Sequence, residues 1–365
     1  MRVSDIDTPA ILIDLDIMER NLKRVADYAR AHELRLRPHT KTHKIPELGR
    51  RQIELGAAGL TVAKVGEAEV MLASGTPDLL VAYPVIGHRK LDRLMEVARH
   101  TRITVSLDNL TSARQLSDAA RQAQVKVAVL AETDVGLGRV GVAPGEPLVA
   151  LGKGIQNFPH LELEGVAFYP GHIKSIEDGG REQIARLSAT VEGIIRDFRS
   201  AGLPIRIVSG GSTPALFESH RVAGLNEIRP GTYIFNDRNT VECGACTWDD
   251  CAASILVTVV STAIAGQIII DGGSKTFSSD RLVTGGEPTF GLIREAPGAL
   301  FHRMNEEHGY VDLRRAERDD FSVGDRLRIV PNHICVAMNL HEQVYGFRGE
   351  QVEEVWKVEG RGKLQ

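Results

Sequence analysis

The sequence predicts an α/β protein: a (β/α)8 TIM barrel over residues 10–240, then a mostly β domain over residues 245–365 joined by residues 1–9. Three observations predict this. Short apolar strand-like segments alternate with amphipathic helix-like ones through the first two-thirds of the chain. About eight such units fit the span, as a closed barrel requires. Beyond residue 245 strand signals dominate, separated by Gly, Pro and Asp turns.

Residues 10–15 read as a short apolar strand, and 16–31 as a helix with Met18, Leu22, Val25 and Ala29 at helical spacing. Strands are predicted next at 34–38, 59–62, 79–82, 102–106, 125–132, 163–168, 206–209 and 226–229. Helices are predicted between them at 46–55, 65–73, 89–99, 110–122, 147–157, 178–200 and 215–219, the first ending near Gly56. An open doubly wound sheet is the rival arrangement. The absence of a Gly-x-Gly-x-x-Gly turn after the first strand weighs against its dinucleotide-binding form. In the C-terminal region strands are predicted at 252–263, 266–271, 326–331 and 352–358.

Of 365 residues 42% are hydrophobic, enough for a barrel and a smaller domain. The formal net charge is -4 with no long block of one sign, which argues against a nucleic-acid partner. The longest apolar runs, 253–260 and 267–270, are too short to span a bilayer. The start, Met1-Arg-Val-Ser-Asp, is polar and lacks a signal-peptide core, so the expected location is the cytoplasm with no membrane partner. Among the cysteines, Cys243-x-x-Cys246 has no second pair to complete a structural zinc site; unpaired thiols are expected.

The densest chemical segment is Arg37-Pro-His-Thr-Lys-Thr-His-Lys44, at the end of a predicted barrel strand. Barrel strand C-termini face the active site. A lysine among other cations has a lowered pKa and becomes a better nucleophile. An exposed basic loop would satisfy the same pattern. Two later segments bear on the choice: Val208-Ser-Gly-Gly-Ser-Thr213 after the seventh predicted barrel strand, and Ile228-Arg-Pro-Gly-Thr-Tyr233 after the eighth. Gly-rich loops there commonly bind phosphate through backbone N–H groups and hydroxyls. A lysine opposite a phosphate cup is the minimal equipment for pyridoxal 5'-phosphate (PLP).

These segments resemble the alanine racemase-type (fold type III) PLP enzymes, and more narrowly their D-threonine aldolase and D-serine dehydratase branch. Further matching strings are Thr8-Pro-Ala with Asp14, Glu132-Thr-Asp-Val-Gly-Leu-Gly-Arg-Val-Gly141, Asp271-Gly-Gly-Ser-Lys275, Asn305-Glu-Glu-His-Gly309 and Pro331-Asn-His-Ile-Cys335. Together they cover almost the whole chain in order. The resemblance implies that Lys41 is the cofactor lysine, with Lys44 a neighbouring charge. It implies Arg139 beside the cofactor ring hydroxyl, and Tyr169 as an aromatic contact. Ser209, Gly210, Gly211, Ser212, Gly231 and Thr232 would hold the phosphate, and Arg229 would face the pyridine nitrogen. It also implies a divalent metal, Zn or Mn, on His333 and Cys335. Alternate residues of an extended segment point the same way, so both side chains would reach one ion, with water or substrate oxygens completing its shell.

The implied activity is a lyase acting on small D-β-hydroxy-α-amino acids. If a base takes the β-hydroxyl proton, the Cα–Cβ bond breaks to give glycine and an aldehyde; His172 is the candidate base. If Lys41 takes the Cα proton, the β-hydroxyl leaves and a keto acid and ammonia result. Whole-chain resemblance favours D-threonine aldolase. Cys335 stands where the aldolases of this branch carry aspartate, and a thiolate favours zinc, as in the D-serine dehydratases. A racemase using Tyr310 or Tyr345 as second base would leave the metal pair without a task. A PLP carrier protein would be single-domain. The resemblance further implies a homodimer.

Overall fold

The computed structural model describes residues 1–177, 179–284 and 287–365. The chain divides into two compact units: Met1–Leu22, Thr42–Lys44 and Thr232–Arg361 form one, and Lys23–Lys41, Ile45–Gly231 and Gly362–Gln365 the other. This differs from the expected boundary, which put residues 10–22 and 232–240 with the barrel. The first strand, β1 (Ala10–Asp14), lies in the first unit and is described with it below.

The second unit is the barrel. Its strands are β2 (Arg35–Leu36), β3 (Leu60–Val62), β4 (Asp78–Val81), β5 (Arg102–Leu107), β6 (Val127–Glu132), β7 (Leu161–Ala167), β8 (Ile207–Gly210) and β9 (Glu227–Ile228). They pair in parallel in the order β2-β9-β8-β7-β6-β5-β4-β3. The two ends meet: Ala58 N donates to Leu36 O, Thr61 N to Pro38 O and Thr40 N to Thr61 O, each at 2.8 Å. Every residue of β4 and β6 is buried, because a parallel strand covered on both faces must be apolar nearly throughout. Helices follow close to the predicted spans, among them Pro46–Glu54, His88–Ala98, Leu110–Ala123 and Glu146–Gln156. The helix expected over 178–200 runs Gly180–Ser200, with position 178 outside the described residues. The segment expected as a helix at 215–219 is a 3-10 turn, Leu216–Arg221.

The starts of the barrel strands carry a charged network. Arg37 is fully buried; Nη1 and Nη2 donate to the Asp78 carboxylate at 2.9 and 3.2 Å, and Nε donates to Glu227 Oε2 at 3.0 Å. Arg102 joins Asp78 at 3.2 Å, and Arg206 reaches Glu164 at 3.1 Å. The first residue of the basic segment is therefore committed to holding strands together. The forked guanidinium matches two carboxylates at once, which offsets the cost of burying it.

The first unit is mostly β. Its further strands are β10 (Ala253–Ser261), β11 (Gln267–Ile270), β12 (Leu282–Thr284), β13 (Glu287–Thr289), β14 (Gly291–Ile293), β15 (Leu300–Met304), β16 (Gly309–Asp312), β17 (Arg326–Pro331), β18 (Gln343–Arg348) and β19 (Gln351–Lys357). A nine-stranded sheet runs β15-β16-β11-β10-β1-β18-β19, with β17 paired to β10 and β14 to β17, while β12 and β13 form a hairpin. Strand β1 is central: antiparallel to β10, parallel to β18, with Ile11, Leu12 and Ile13 fully buried. An apolar strand leading into a helix looks the same in sequence whichever sheet takes it. Residues 1–9 lie in this unit, through Val3 N to Glu350 O at 2.9 Å and an Arg2–Gln351 bridge. The conspicuous Thr8 and Asp271 are partners: Thr8 Oγ1 donates to Asp271 Oδ2 at 2.5 Å. No helix among the described residues is long and apolar enough to cross a membrane.

Candidate active site

In the barrel unit the predicted residues gather on loops leaving the strand C-termini. Arg37 N donates to Ile228 O, and His39 N to Pro230 O, both at 2.9 Å. The loop bearing Lys41 therefore leaves β2 alongside the β9 loop of Arg229, Pro230 and Gly231. Arg229 N donates to Gly210 O at 3.1 Å, which sets the β9 loop beside the β8 loop of Ser209, Gly210, Gly211 and Ser212. Lys41 is exposed, while its neighbours Thr40 and His43 are buried.

The β8 loop has the form of an anion cradle. A Cβ at Gly210 would stand 2.4 Å from the Phe168 ring, and Gly211 has φ +90, so neither position admits a larger residue without strain. Ser212 is 4% exposed, and its hydroxyl has no hydrogen-bond partner among the described residues. A buried orphan hydroxyl is costly unless a ligand satisfies it. Ser209 is used differently. Its Oγ donates to Glu227 Oε1 at 2.6 Å and accepts from Arg229 Nη1, while Arg229 Nη2 donates to Phe168 O at 3.0 Å. Arg229 is thus tethered to the strand ends.

A second group comes from the loops after β6 and β7. The Asp134 carboxylate accepts from Gly136 N at 3.1 Å, Leu137 N at 2.9 Å and Gly138 N at 3.0 Å, folding the turn that presents Arg139. Burial tends to raise the Asp134 pKa, but these amides outweigh it and hold it below the usual value. Arg139 is exposed, its guanidinium carbon 4.8 Å from the centroid of the Tyr169 ring. His172 lies against the same turn: a Cβ on Gly136 would meet its ring at 3.3 Å. His172 Nδ1 is buried without a partner among the described residues.

The other three predicted residues, Thr232, His333 and Cys335, lie in the β unit. The segment through His333 and Cys335, expected to be extended, instead turns into a helix. His333 caps the helix Ile334–Leu340, and Cys335 is in its first turn. The reason is Asp237, fully buried, whose Oδ2 accepts Ile334 N at 3.1 Å and stands 3.3 Å from His333 Nδ1. Asp237 Oδ1 accepts Thr240 N at 3.0 Å, capping a second short helix, Arg238–Glu242. The Cys335 thiol lies 3.3 Å from Thr42 Oγ1, and Thr232 Oγ1 is 3.8 Å from the same sulfur. Burial works against a charged His333, but the Asp237 carboxylate and Cys335 sulfur outweigh it and raise its pKa well above 6.5. Burial pushes the Cys335 thiol up, yet the His333 imidazole brings it below 9.0.

A carboxylate on Nδ1 fixes which imidazole nitrogen is offered to a ligand, the arrangement that orients metal-binding histidines. A depressed thiol is ready as thiolate. The pair fits a borderline or soft divalent ion. No group of three or more His, Cys, Asp or Glu side chains among the described residues is placed to hold a metal, so other oxygens must complete its shell. Sequence reasoning missed Asp237 and Asp134. Asp237-x-x-Thr240 reads as a helix N-cap, but nothing in sequence ties it to a histidine almost a hundred positions on.

Two sequence families match: one described as alanine racemase, N-terminal domain, over residues 13–239, and one as a putative serine dehydratase domain, over residues 252–347. The chain is 33% identical to the D-threonine aldolase of Arthrobacter sp, with 98% of this chain and 93% of that protein covered. It is 33% identical to the D-threo-3-hydroxyaspartate dehydratase of Delftia sp., covering 90% and 91%. The structure of D-threonine aldolase from Filomicrobium marinum superposes with a TM-score of 0.92 at 32% identity, over 100% of this chain and 98% of that one. Structures of D-threo-3-hydroxyaspartate dehydratase with a histidine replaced, and in a metal-free form with a cysteine two positions further on replaced, also match, both at 30% identity.

Proposed function

Because the chain belongs to the alanine racemase-type family, in its D-threonine aldolase and D-serine dehydratase branch, we propose that it is a PLP- and divalent-metal-dependent lyase acting on D-β-hydroxy-α-amino acids, cleaving D-threonine to glycine and acetaldehyde. The observation that carries the cofactor reading is the buried, partnerless Ser212 hydroxyl in a glycine cradle, on loops that hydrogen bonds link to the loop bearing Lys41. The substrate class rests on near full-length similarity to the aldolases and the dehydratase.

When bound, PLP supplies an electron sink at the substrate Cα, and a divalent ion supplies a Lewis acid at the substrate β-oxygen. The rest falls to side chains. Lys41 holds the cofactor through its amine. Ser212, with the amides of Gly210, Gly211 and Gly231 and the hydroxyl of Thr232, would receive the phosphate; Ser209, expected among these donors, has its hydroxyl proton committed to Glu227. Arg139, braced on Tyr169, would serve the cofactor's ring hydroxyl, and Arg229, tethered by Ser209 and Phe168 O, its pyridine nitrogen. His333 and Cys335 bind the metal, with Asp237 orienting the imidazole. His172 takes the β-hydroxyl proton at its ring nitrogen; Lys41 moves the Cα proton if elimination competes.

The second reading, dehydration to a keto acid and ammonia, is favoured by Cys335. The metal-free variant of a D-threo-3-hydroxyaspartate dehydratase lacks a cysteine that follows the other replaced position, a histidine, by two, the same spacing as His333 and Cys335. Purified protein given PLP and either Zn or Mn, then D-threonine or D-serine, separates the two. Acetaldehyde with glycine supports the aldolase; 2-oxobutyrate or pyruvate with ammonia supports the dehydratase. Neither product with either metal overturns both. Lys41→Ala is expected to lose the yellow cofactor absorbance together with activity. We further propose a cytoplasmic homodimer.

A further inference from the structure

We propose that Asp108 is a positioning residue for the reaction: through the Gly141 amide it holds the closed loop that carries Arg139, and through that loop it sets His172 as well. This rests on the roles proposed above for Arg139 and His172. Asp108 itself has no part in the chemistry described, and it stands outside every motif the sequence offers.

Neighbouring strands of the barrel supply the parts. Strands β5, β6 and β7 lie side by side, with Leu107 opposite Ala131 and Ala131 opposite Val166. Asp108 is the first residue past β5, and Leu107 before it is fully buried, so the carboxylate hangs from a fixed point. Its Oδ2 accepts Gly141 N at 3.0 Å, and its Oδ1 accepts Asn109 Nδ2 at 2.8 Å. An ionised acceptor makes a stronger hydrogen bond than a neutral one.

The loop after β6 closes on itself. Val142 N donates to Glu132 O at 3.1 Å, Asp134 N to Val142 O at 3.0 Å, and Thr133 Oγ1 to Val142 O at 2.9 Å. Inside the ring the Asp134 carboxylate gathers the amides of Gly136, Leu137 and Gly138. Gly141 is the point where the end of the loop crosses its start: φ is +104, and a Cβ there would stand 2.5 Å from Asp134 N. Gly141 therefore carries no side chain to anchor it. The anchor comes from the neighbouring strand, as the Asp108 carboxylate.

The same loop touches the one after β7 at two places. Arg139 lies over the Tyr169 ring at 4.8 Å, and Gly136 packs on the His172 ring, where φ is +123 and a Cβ would come within 3.3 Å of the imidazole. Tyr169 and His172 flank one tight turn, closed by Ile173 N donating to Pro170 O at 3.1 Å. Two contacts between two closed loops fix their relative placement, as a single contact does not. Releasing Gly141 therefore frees Arg139 and His172 together. The order of support runs from Asp108 to the loop, and from the loop to both groups.

The test compares the natural full-length chain with Asp108→Ala and Asp108→Asn. Asparagine keeps an oxygen for Gly141 N, and alanine does not. Hydrogen exchange followed by mass spectrometry is read first, without cofactor. In Asp108→Ala, exchange over residues 133–142 and 169–173 should quicken together by about tenfold, with Asp108→Asn like the natural chain. Unchanged exchange overturns the brace, and quickening confined to 133–142 overturns its reach to His172. The proteins are then loaded with PLP and zinc. For Asp108→Ala, kcat on D-threonine should fall about 10- to 100-fold with KM within about twofold, because misplaced groups cost the reacting step more than binding. The pH at which the absorbance of bound PLP changes should also move, since Arg139 is the residue proposed for its ring hydroxyl. Asp108→Asn should restore both, and all forms should unfold at nearly the same urea concentration. Natural kcat and natural absorbance in Asp108→Ala overturn the positioning role, as does a loss that asparagine leaves in place or that follows the urea midpoint. If the natural chain binds no PLP, the function proposed above fails and the positioning role with it, while exchange still judges the brace.

Discussion

Ser212 and Asp237 do opposite work with similar burial. Ser212 hides a hydroxyl with no hydrogen-bond partner among the described residues, and Asp237 hides a carboxylate bonded to Thr240, Ile334 and His333. The first is the proposed phosphate donor; the second is a completed scaffold. Ser212→Ala is therefore expected to weaken PLP binding about 5- to 10-fold, the worth of one hydrogen bond of ~1–1.5 kcal/mol, without loss of folding stability. Fluorescence titration of the apoenzyme with PLP, beside urea unfolding, checks both halves. A different consequence attends His333. Its folded pKa is raised above 6.5, so the metal-free protein keeps the imidazole protonated through neutral pH. A ligand must be neutral, so metal binding expels that proton, and affinity should rise about tenfold per pH unit until the raised pKa is reached. Asp237→Asn should flatten this dependence and weaken zinc 10- to 100-fold at high pH. Calorimetry in buffers of differing ionisation enthalpy counts the proton directly.

At the scale of elements, the barrel is closed at its strand starts by ionic pairs and left open to ligands at its strand ends. Arg37 ties β2 to β4 through Asp78 and to β9 through Glu227. Arg37→Met strips two buried carboxylates of their one fully buried cation, leaving Asp78 to Arg102 and Glu227 to Arg35 and Ser209, and should cost about 3–5 kcal/mol, read from the urea midpoint. The pH signature is specific. Burial tends to raise the Glu227 pKa, but Arg37 and Ser209 outweigh it and lower it below 4.5. A depressed carboxylate contributes stability that is present above its unfolded value and is lost as pH falls through its folded one. The natural chain should therefore lose stability below about pH 4.5 on this account, and Arg37→Met should show a shallower acid limb. The same elements explain how legible the site was. The loops at Ser209–Ser212 and Arg229–Gly231 stood out because two glycine-rich turns follow consecutive late barrel strands, although nothing local showed that the Ser209 hydroxyl goes to Glu227. The bend at His333 was not, because a histidine two residues before a cysteine fits a strand or a helix start equally well. The buried partner that decides between them, Asp237, is supplied by a distant stretch of chain.

Over the whole molecule, the chain's mass is 39.9 kDa, and sedimentation of the PLP-loaded protein is expected to give twice that value, with a monomer counting against the proposed dimer. The sequence alone determined the β-then-α rhythm and the strands of the parallel barrel sheet, and it supplied the glycine-rich loops and the lysine on which the proposed cofactor site rests. Each is written in local periodicity or in a motif a few residues long. Only the tertiary structure decided that Ala10–Asp14 joins the β sheet, that Arg37 is a strut, and that His333 is governed by Asp237. Those outcomes depend on which distant segment pairs with a strand or supplies a charge. Neither hydrogen-bond pairing nor burial leaves a mark in the local order of residues.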